Sequence, residues 1–300
     1  MEKAKILIVE DEAIIAMKIE SQLQSLGYEV TSIVDTGEKV IQKAEEDKPD
    51  LILMDIRIKG GMDGIDTANE IRNRFGIPVV FTTAYLDEER IERAKIAMPF
   101  GYIIKPVHEK DLKVTIEMAL YVTKIENKRK HEENIRKAQI RIIEYAVNHN
   151  IDELLQKILD EAELLTGSKI GFFHFVEEDQ ETLSLQVWST NTRQNICEVI
   201  DFDRHYPISE AGVWVDCVRE RKSIIHNDYK SLTHKGELPQ GHVPLIRELV
   251  VPVFRNEKIR AIFGVGNKGY DYNEIDIETV KYLGNLAWET IVRKKAEEKL

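Results

Sequence analysis

The sequence is poor in cysteine: Cys197 and Cys217 are the two thiols among 300 residues. Two thiols are too few for a disulfide framework, which excludes the small disulfide-rich secreted domains and fits a reducing cytoplasm. Long apolar runs are also missing, because no stretch approaches the roughly 20 residues that span a bilayer. The first residues, MEKAKILIVED, enter a strand pattern at once, so we expect no signal peptide.

Positively charged residues are outnumbered by negatively charged ones. Lys and Arg total 42 against 53 Asp and Glu, which gives a formal net charge of −11. Such an excess of negative charge disfavours a nucleic-acid-binding protein, so we expect partners among proteins, cations or small ligands, and no membrane association. A length of 300 residues with 43% hydrophobic residues predicts two globular domains, each with its own core.

The first 120 residues alternate strand and helix patterns. The strand patterns are KILIVE, YEVTSIV, LILMD, IPVVFTTA and GYIIK. Helical patterns separate them, one of them from about Asp87 to Met98; Thr36 is a predicted helix cap, and Gly27 and Gly76 are predicted helix stops. Continuous Val, Ile and Leu runs are typical of strands that are buried on both faces. The pattern therefore predicts an α/β fold with a doubly wound, five-stranded parallel sheet.

From about Asp111 to Leu165 the pattern is helical with little interruption, and its middle, KIENKRKHEENIRK, is almost wholly charged. Several residues sit seven apart, as in a coiled-coil seam: Ile116 and Thr123, Ile135 and Ile142, and Ala138 and Tyr145. This spacing favours a dimerising helical linker. A helix with one solvated face fits the same pattern equally well.

The second half follows a different pattern. SKIGFFHFV and ETLSLQVWST predict a hairpin across EEDQ, KSIIHND a short strand, and RELVVPVF with KIRAIFGVGN a second hairpin across RNEK. An amphipathic helix with Ile277, Val280, Leu283 and Ile291 on one face closes the chain. A helix, an antiparallel sheet and a closing helix predict an α+β domain.

Each unusual polar residue of the first half sits where a strand ends: Glu10, Asp11, Asp55, Thr83 and Lys105. The carboxyl ends of parallel strands meet at one edge of the sheet, which is where such sheets bind ligands. Three crowded carboxylates call for a cation, and oxygen ligands with room for water suit Mg²⁺. A metal, a lysine and a hydroxyl around Asp55 would stabilise a transferred phosphoryl group, with Asp55 as the nucleophile.

Alternative roles for Asp55 fit the sequence less well. An EF-hand loop that began there would put Arg57 and Lys59 at ligand positions. A P-loop requires GK[ST], which GGMDGID lacks. A helix cap at Asp55 would account for one carboxylate and leave its neighbours without a role. An aspartate-based phosphatase would need a second acidic residue at position 57.

Residues 4–122 resemble the receiver domain of two-component response regulators, which has a flavodoxin-like fold. The resemblance rests on ILIVEDE, LILMD, TTA and GYIIKP, in that order. It implies that Asp55 accepts a phosphoryl group, and that Glu10, Asp11, Asp55 and the backbone carbonyl of Arg57 hold Mg²⁺. It further implies that Lys105 contacts the phosphate and that Thr83 and Tyr102 rearrange together.

Residues from about 150 to 295 resemble GAF domains, which sense small molecules or serve in dimerisation. IGFFHFV, AGVWVDCVRERKSIIHND, RELVVPVF and AIFGVGNK carry this resemblance. The candidate pocket residues are Trp188, Asn191, Trp214, Cys217, His226 and Asp228. Each also fits a purely structural role: core anchors for the tryptophans, a buried hydrophobe for Cys217, and a turn for Asn227 and Asp228.

Two cysteines and two histidines are candidates for cofactor or phosphoryl chemistry outside the first domain. Cys217 lacks the adjacent histidine usual beside a bilin-attaching cysteine, and no spacing supports a thiol reductase built on Cys197 and Cys217. His226 is either an axial haem ligand or, as we expect, a strand-end histidine bonded to backbone. His131 precedes a glutamate as kinase phosphoacceptors do, but the downstream proline is absent, so we interpret it as an exposed linker residue.

These inferences predict a receiver (1–122), a helical linker (123–149) and a GAF domain with a terminal signalling helix (150–300). We expect a cytoplasmic response regulator that is phosphorylated on Asp55 by a histidine kinase, forms a homodimer through its helices and has little enzymatic activity beyond its own phosphorylation. The alternatives are a truncated sensor kinase or other fragment of a longer hybrid kinase, a metal-dependent phosphatase, and a passive dimerisation scaffold.

Overall fold

The computed structural model describes residues 3–84, 99–196, 205–233 and 244–297. The chain forms two compact units, residues 1–130 and residues 131–300. Each unit has its own sheet and its own hydrophobic core. The predicted helix between Asp87 and Met98 lies outside the described residues, and so does Cys197.

The first unit is built on a five-stranded parallel sheet with the strand order β2-β1-β3-β4-β5. Its strands are β1 (Lys5–Val9), β2 (Glu29–Val34), β3 (Leu51–Asp55), β4 (Val79–Thr83) and β5 (Gly101–Ile104). Its described helices are α1 (Ala13–Ser25), α2 (Gly37–Asp47), α3 (Gly64–Phe75) and α4 (Glu109–Ala146), the last of which continues into the second unit. The predicted α/β fold is confirmed.

Two cores lie on the two faces of this sheet because its central strands are apolar at successive positions. Every residue of β3 and β4 is buried. Ile52 and Met54 pack with residues of α2 and α3, whereas Leu51 and Leu53 pack with residues of α1 and α4. Strands buried on both faces require helices on both faces, which is the arrangement that the continuous apolar runs predict.

Local signals place the helix ends. Thr36 accepts a hydrogen bond from the backbone N–H of Lys39 at the start of α2, as predicted. Asp63 caps α3 by accepting from two backbone N–H groups. Gly76 ends α3 with a φ of 68°, a left-handed conformation that glycine adopts without strain. These caps fix where the loop after β3 ends and α3 begins.

The second unit holds a six-stranded antiparallel sheet with the order β8-β7-β6-β11-β10-β9. Its strands are β6 (Ile170–Val176), β7 (Thr182–Trp188), β8 (His205–Pro207), β9 (Ile224–His226), β10 (Glu248–Arg255) and β11 (Lys258–Gly266). Its helices are α5 (Ile151–Thr166), α6 (Asp216–Arg219) and α7 (Glu274–Glu297). Both predicted hairpins, β6–β7 and β10–β11, are confirmed; β8 was not predicted.

Alternation along β6 divides the second unit into two apolar clusters. Phe173 packs with residues of α5 and α7 on one face of the sheet. Phe172 and Val176 face the other side, where the short segment around Val215 and Cys217 covers them. Because successive side chains of a strand point to opposite faces, one run of apolar residues supplies both clusters.

The helical stretch predicted from about Asp111 to Leu165 is interrupted. Helix α4 ends at Ala146, and Asn150 begins α5 with a capping box in which its side chain and that of Glu153 bond to each other's backbone N–H groups. In addition, the predicted seam residues Ile116, Ala138 and Ile142 are buried in the cores of their own units. Their seven-residue spacing therefore reflects packing within the chain.

His131 is half-buried, so the expectation of an exposed linker residue is wrong. Its Nε2 lies 2.7 Å from the hydroxyl oxygen of Thr279, a buried residue of α7. That hydroxyl already donates to the carbonyl oxygen of Ile275, so His131 is the donor in this pair. The partner is 148 positions away in the sequence, which is why the local pattern did not reveal it.

Candidate functional site

Five polar residues of the first unit meet at the carboxyl edge of its sheet. Asp55 and Thr83 are the last residues of β3 and β4. Glu10 and Asp11 directly follow β1, and Lys105 directly follows β5. Because all five strands run in the same direction, their ends deliver these side chains to one place. Residues that are up to 95 positions apart in the sequence are thereby brought into contact.

Lys105 lies between two carboxylates. Its Nζ is 2.5 Å from Oδ2 of Asp55 and 2.6 Å from Oε2 of Glu10. Burial opposes the charge on Lys105, but its hydrogen bonds to Asp55 and Glu10 outweigh burial and raise the pKa of the lysine. Burial raises the pKa of Glu10, against the opposing effect of the hydrogen bond from Lys105. The site is thus a compact and largely buried group of opposite charges.

The same edge offers a set of oxygen ligands. Carboxylate oxygens of Glu10, Asp11 and Asp55 all lie within 4.8 Å of one another. An adjacent cavity of about 360 Å³ leaves room for waters and a phosphate. Asp11, Glu12, Asp55, Arg57, Ile58, Thr83, Ala84 and Lys105 line it. Hard oxygen donors beside a cavity with room for several waters suit Mg²⁺, which keeps several waters in its coordination sphere.

Asp55 does not cap the following helix. The N-cap of α3 is Asp63, eight positions later in the chain. Oδ1 of Asp55 accepts a hydrogen bond of 2.8 Å from the backbone N–H of Arg57, while Oδ2 bonds to Lys105. Its carboxylate is therefore held in a fixed orientation at the cavity wall, and the helix-cap alternative is excluded.

Thr83 and Tyr102 lie on neighbouring strands beside the acidic group. Thr83 is buried and lines the cavity. Tyr102 pairs with Phe81 across β4 and β5, and the centroids of their rings are 5.8 Å apart. Tyr102 is half-buried.

Lys59 is a member of the site that sequence reasoning missed. Its Nζ is 3.3 Å from the backbone oxygen of Asp11 and 3.9 Å from the carboxylate of the same residue. The loop that carries it, IKGG, turns at Gly60 with a φ of 110°, a conformation that favours glycine. The pairing of a lysine with two glycines after β3 was the available signal.

In the second unit, Trp188 and Trp214 pack edge-on against Phe172, with ring centroids 5.9 and 5.8 Å away. Cys217 is buried in the same cluster, and its thiol contacts the backbone oxygen of Trp214. Burial raises the pKa of this thiol far above its usual range. Such a thiol is unreactive at neutral pH, so Cys217 acts as a small hydrophobe.

The expectation that His226 bonds to backbone is wrong. Its Nδ1 lies 2.8 Å from Oε1 of Glu248, a buried carboxylate on β10. This hydrogen bond raises the pKa of His226 and so favours the charged ring. A glutamate at an inward position of the apolar strand RELVVPVF was the signal for this partner.

The remaining candidates of the second unit, Asn191 and Asp228, differ in their surroundings. Asn191 donates from Nδ2 to the backbone oxygen of Lys169 at 2.7 Å. Asp228 is exposed. Asn227 bonds through its side chain to both the N–H and the carbonyl of Tyr272, at 2.8 and 3.1 Å.

Glu163 on α5 gives the second unit a pH-dependent stability. Its carboxylate accepts hydrogen bonds from Ser189 and Thr192, and burial raises its pKa from the usual 4.5 to about 7. The folded unit therefore binds a proton at Glu163 more tightly than the unfolded chain does. The resulting stabilisation is complete below pH 4.5 and is lost as the pH rises through about 7.

Between pH 5 and 8 we expect the wild type to lose about 1–2 kcal/mol more unfolding free energy than Glu163→Gln, after allowance for partial exposure. All three tryptophans lie in this unit, so urea unfolding followed by tryptophan fluorescence measures it. Glu144→Gln, at an exposed position, is the control and should behave as the wild type. Parallel pH profiles for the wild type and Glu163→Gln would contradict the assignment.

None of the described helices has both the length and the hydropathy of a transmembrane span.

Two family models match the chain. A model of the response regulator receiver domain matches residues 6–117, and a model of the GAF domain matches residues 148–292. Together they cover both compact units in the predicted order, and no kinase or scaffold interpretation is needed to account for either match.

Individual relatives match parts of the chain. A methyl sulfide methyltransferase-associated sensor from Methanosarcina acetivorans is 38% identical over 152 residues, 50% of this chain and 15% of that protein. The transcriptional regulatory protein PdtaR from Mycobacterium tuberculosis is 38% identical over 116 residues, 39% of this chain and 56% of that protein. The chain thus spans between a seventh and somewhat over half of the length of these two relatives.

Among solved structures, the signal receiver domain of a modulated diguanylate cyclase from Desulfovibrio desulfuricans is 39% identical, with a TM-score of 0.41. The alignment covers 42% of this chain and 99% of that structure.

Proposed function

We propose that this chain accepts a phosphoryl group on Asp55 from a partner histidine kinase. The chain belongs to the response regulator receiver family over residues 6–117 and to the GAF family over residues 148–292. The observation that carries the proposal is the contact of Asp55 with Lys105 at the rim of a cavity that Asp11 and Thr83 also line. The GAF unit would couple a small-molecule signal to the phosphorylation state.

The orientation of Asp55 suits nucleophilic attack on phosphorus. Its Oδ1 is bonded to the N–H of Arg57, which leaves Oδ2, the oxygen now bonded to Lys105, as the attacking atom. In the transfer, a bond forms between Oδ2 and phosphorus while the bond from phosphorus to the donor's leaving group breaks, and the leaving group keeps the electron pair. Lys105 can then donate to an oxygen of the transferred group, because one ammonium group has three donors.

The ligand set fits a divalent cation. Glu10, Asp11 and Asp55 present oxygens within 4.8 Å of one another, and we propose that the backbone carbonyl of Arg57 completes the protein's share of the ligands. A bound Mg²⁺ would supply the positive charge that offsets these carboxylates and the phosphate oxygens. Lys59 adds a second positive charge near Asp11.

Thr83 and Tyr102 are the proposed responders. Thr83 lines the cavity, so its hydroxyl is placed to bond a phosphate oxygen on Asp55. Movement of Thr83 would vacate space behind it on β4, and Tyr102 on the adjacent strand β5 is the ring that could fill this space. Such a paired rearrangement is a two-state change that a partner protein can recognise.

We further propose three segments: a receiver (1–122), a linker (123–149) and a GAF domain (150–300). We also propose that the protein is cytoplasmic and forms a homodimer. Support for a dimer comes from α4, where four apolar side chains at spacings of four, three and four residues are each about half exposed: Val114, Met118, Tyr121 and Ile125. This spacing forms a seam that a second copy of the same helix could cover.

Removal of Mg²⁺ tests the function. With acetyl phosphate as donor, we expect the chelator EDTA to lower the rate of phosphorylation more than about hundredfold, because the metal offsets several kcal/mol of charge repulsion in the transition state. Intact-mass spectrometry would measure the phosphorylated fraction, and hydroxylamine should remove the label, as it does from acyl phosphates.

Asp11→Asn should raise the Mg²⁺ concentration at half-maximal rate about tenfold or more. Metal-independent labelling would contradict the proposal.

A further inference from the structure

Glu248 is a buried carboxylate with an unused hydrogen-bond acceptor. It begins β10 and is 1% exposed. Its Oε1 bonds to His226, whereas its Oε2 is buried and has no hydrogen-bond partner in the part of the chain that the structure describes. An unsatisfied oxygen of this kind carries a desolvation penalty. A ligand that donates a hydrogen bond to Oε2 would remove this penalty.

A second unsatisfied group lies close to Glu248. Tyr229 is 3% exposed, and among the described residues its hydroxyl also has no partner. Its backbone N–H bonds to the oxygen of Ile246, two positions before Glu248. Burial, together with the charges of Glu248 and Asp216, raises the pKa of Tyr229 to about 12. The hydroxyl and the carboxylate are therefore both buried in the same part of the second unit.

Two buried carboxylates and two basic side chains lie in this region. Glu248 and Asp216 are both buried carboxylates, and the charge of Asp216 further raises the pKa of Glu248, which burial already raises. His226 offsets the first carboxylate, and Arg219, 2.7 Å from Asp216, offsets the second. The Arg219 side chain is 38% exposed, so water screens its charge more than it screens the carboxylates. Directly beside Oε2 of Glu248, which has no hydrogen-bond partner among the described residues, an anionic group would be repelled and a cationic group attracted.

An apolar wall adjoins the polar pair. Val250, the next residue of β10 on the same face as Glu248, belongs to the cluster that holds Phe172, Trp214 and Cys217. The charge of Glu248 acts on Cys217 and helps to raise the pKa of its thiol, after the larger effect of burial. Aromatic rings beside a carboxylate favour an organic cation, because the ring faces also attract positive charge.

We propose that the second unit binds a small organic amine. Its protonated nitrogen donates to Oε2 of Glu248 and to the hydroxyl of Tyr229, and its apolar part packs against the cluster around Trp214. This inference rests on the proposed sensory role of the GAF unit and names its ligand class. It excludes ligands that would place a phosphate or a carboxylate beside Glu248.

Matched pairs of probes test the ligand class. Isothermal titration of the full chain would compare 2-phenylethylamine with 2-phenylethanol, and 3-methylbutylamine with 3-methylbutanol. Each pair has a similar shape and differs in the charged nitrogen. At least one amine should bind about tenfold or more tightly than its alcohol, because hydrogen bonds to charged groups are the stronger ones. Equal or undetectable binding of both members in both pairs would overturn the proposal.

Two variants test the residues. Glu248→Gln should weaken amine binding about tenfold or more. Tyr229→Phe removes a hydroxyl that has no partner among the described residues, so it should weaken binding about fivefold without loss of stability. Tyr270→Phe, at an exposed tyrosine, is the matched control. If Tyr229→Phe loses stability and keeps full amine affinity, the hydroxyl holds a buried water and the proposal is wrong.

The outcome is separable from that of the proposed phosphorylation. Asp55→Asn should leave amine affinity unchanged, and Glu248→Gln should leave Mg²⁺-dependent phosphorylation unchanged when no amine is present. Loss of amine binding in Asp55→Asn would count against a site confined to the second unit.

Discussion

Asp55→Asn is expected to reduce phosphorylation by acetyl phosphate more than about hundredfold, because an amide lacks the nucleophilic oxygen that the transfer requires. The amide is nearly the same size as the carboxylate, and the hydrogen bond from Arg57 N–H to Oδ1 is retained. The variant therefore removes the chemistry and keeps the shape. Intact-mass spectrometry of the wild type and the variant, in the same Mg²⁺ buffer, measures the effect.

Asp50→Asn is the matched control for this experiment. Asp50 stands at the opposite end of the same strand, where its carboxylate accepts from the backbone N–H of Lys5. It lies immediately before β3, whereas Asp55 ends the strand. Asp50→Asn should be labelled as fast as the wild type. Equal labelling of Asp55→Asn and the wild type would place the phosphoryl group elsewhere and remove the proposed function.

Gly64→Ala should destabilise the first unit by about 3 kcal/mol, the upper part of the usual range for overpacking. A Cβ at this position would lie 2.1 Å from the backbone oxygen of Asp55 and 3.0 Å from the Cα of Ile56. Both contacts are with main-chain atoms at the end of a buried strand, so no side chain can rotate away to relieve them. We also expect slower phosphorylation, because the displaced backbone carries the phosphoacceptor.

Hydrogen exchange of the β3 amides, followed by mass spectrometry, measures this destabilisation locally, and the labelling assay measures its effect on Asp55. Gly61→Ala is the control from the same loop. A Cβ there would meet only the carboxylate of Glu38, at 3.8 Å, which is an ordinary contact. If both variants protect the β3 amides as well as the wild type does, the close approach of Gly64 to Asp55 is not part of the folded protein.

The first unit was the easier half to predict from sequence. Parallel strands bring their carboxyl ends together whatever the intervening helices contain, so locating five strands was enough to place Asp55 and Lys105 at one edge. Composition of the strands then indicated that helices cover both faces. The position of Lys59 over Asp11 depends on the turn at Gly60, which no periodicity encodes.

The polar contacts of the second unit could not be predicted from the sequence, for a physical reason. Its polar groups find partners across antiparallel strands and between helices, such as His226 with Glu248 and His131 with Thr279. These pairs depend on strand register and helix docking, not on neighbours in the sequence. A related ambiguity applies to α4, because a helix that packs on its own domain shows the same apolar spacing as a helix that packs on a partner.

The two hydrogen bonds between Asn227 and Tyr272 join the residue that follows β9 to the segment that precedes the terminal helix. Asn227 follows His226 directly, and Tyr272 stands two residues before α7 begins at Glu274. A bidentate clamp resists both sliding and rotation of the two segments. A displacement of the backbone at Asn227 would therefore act directly on the segment that precedes the first turn of α7.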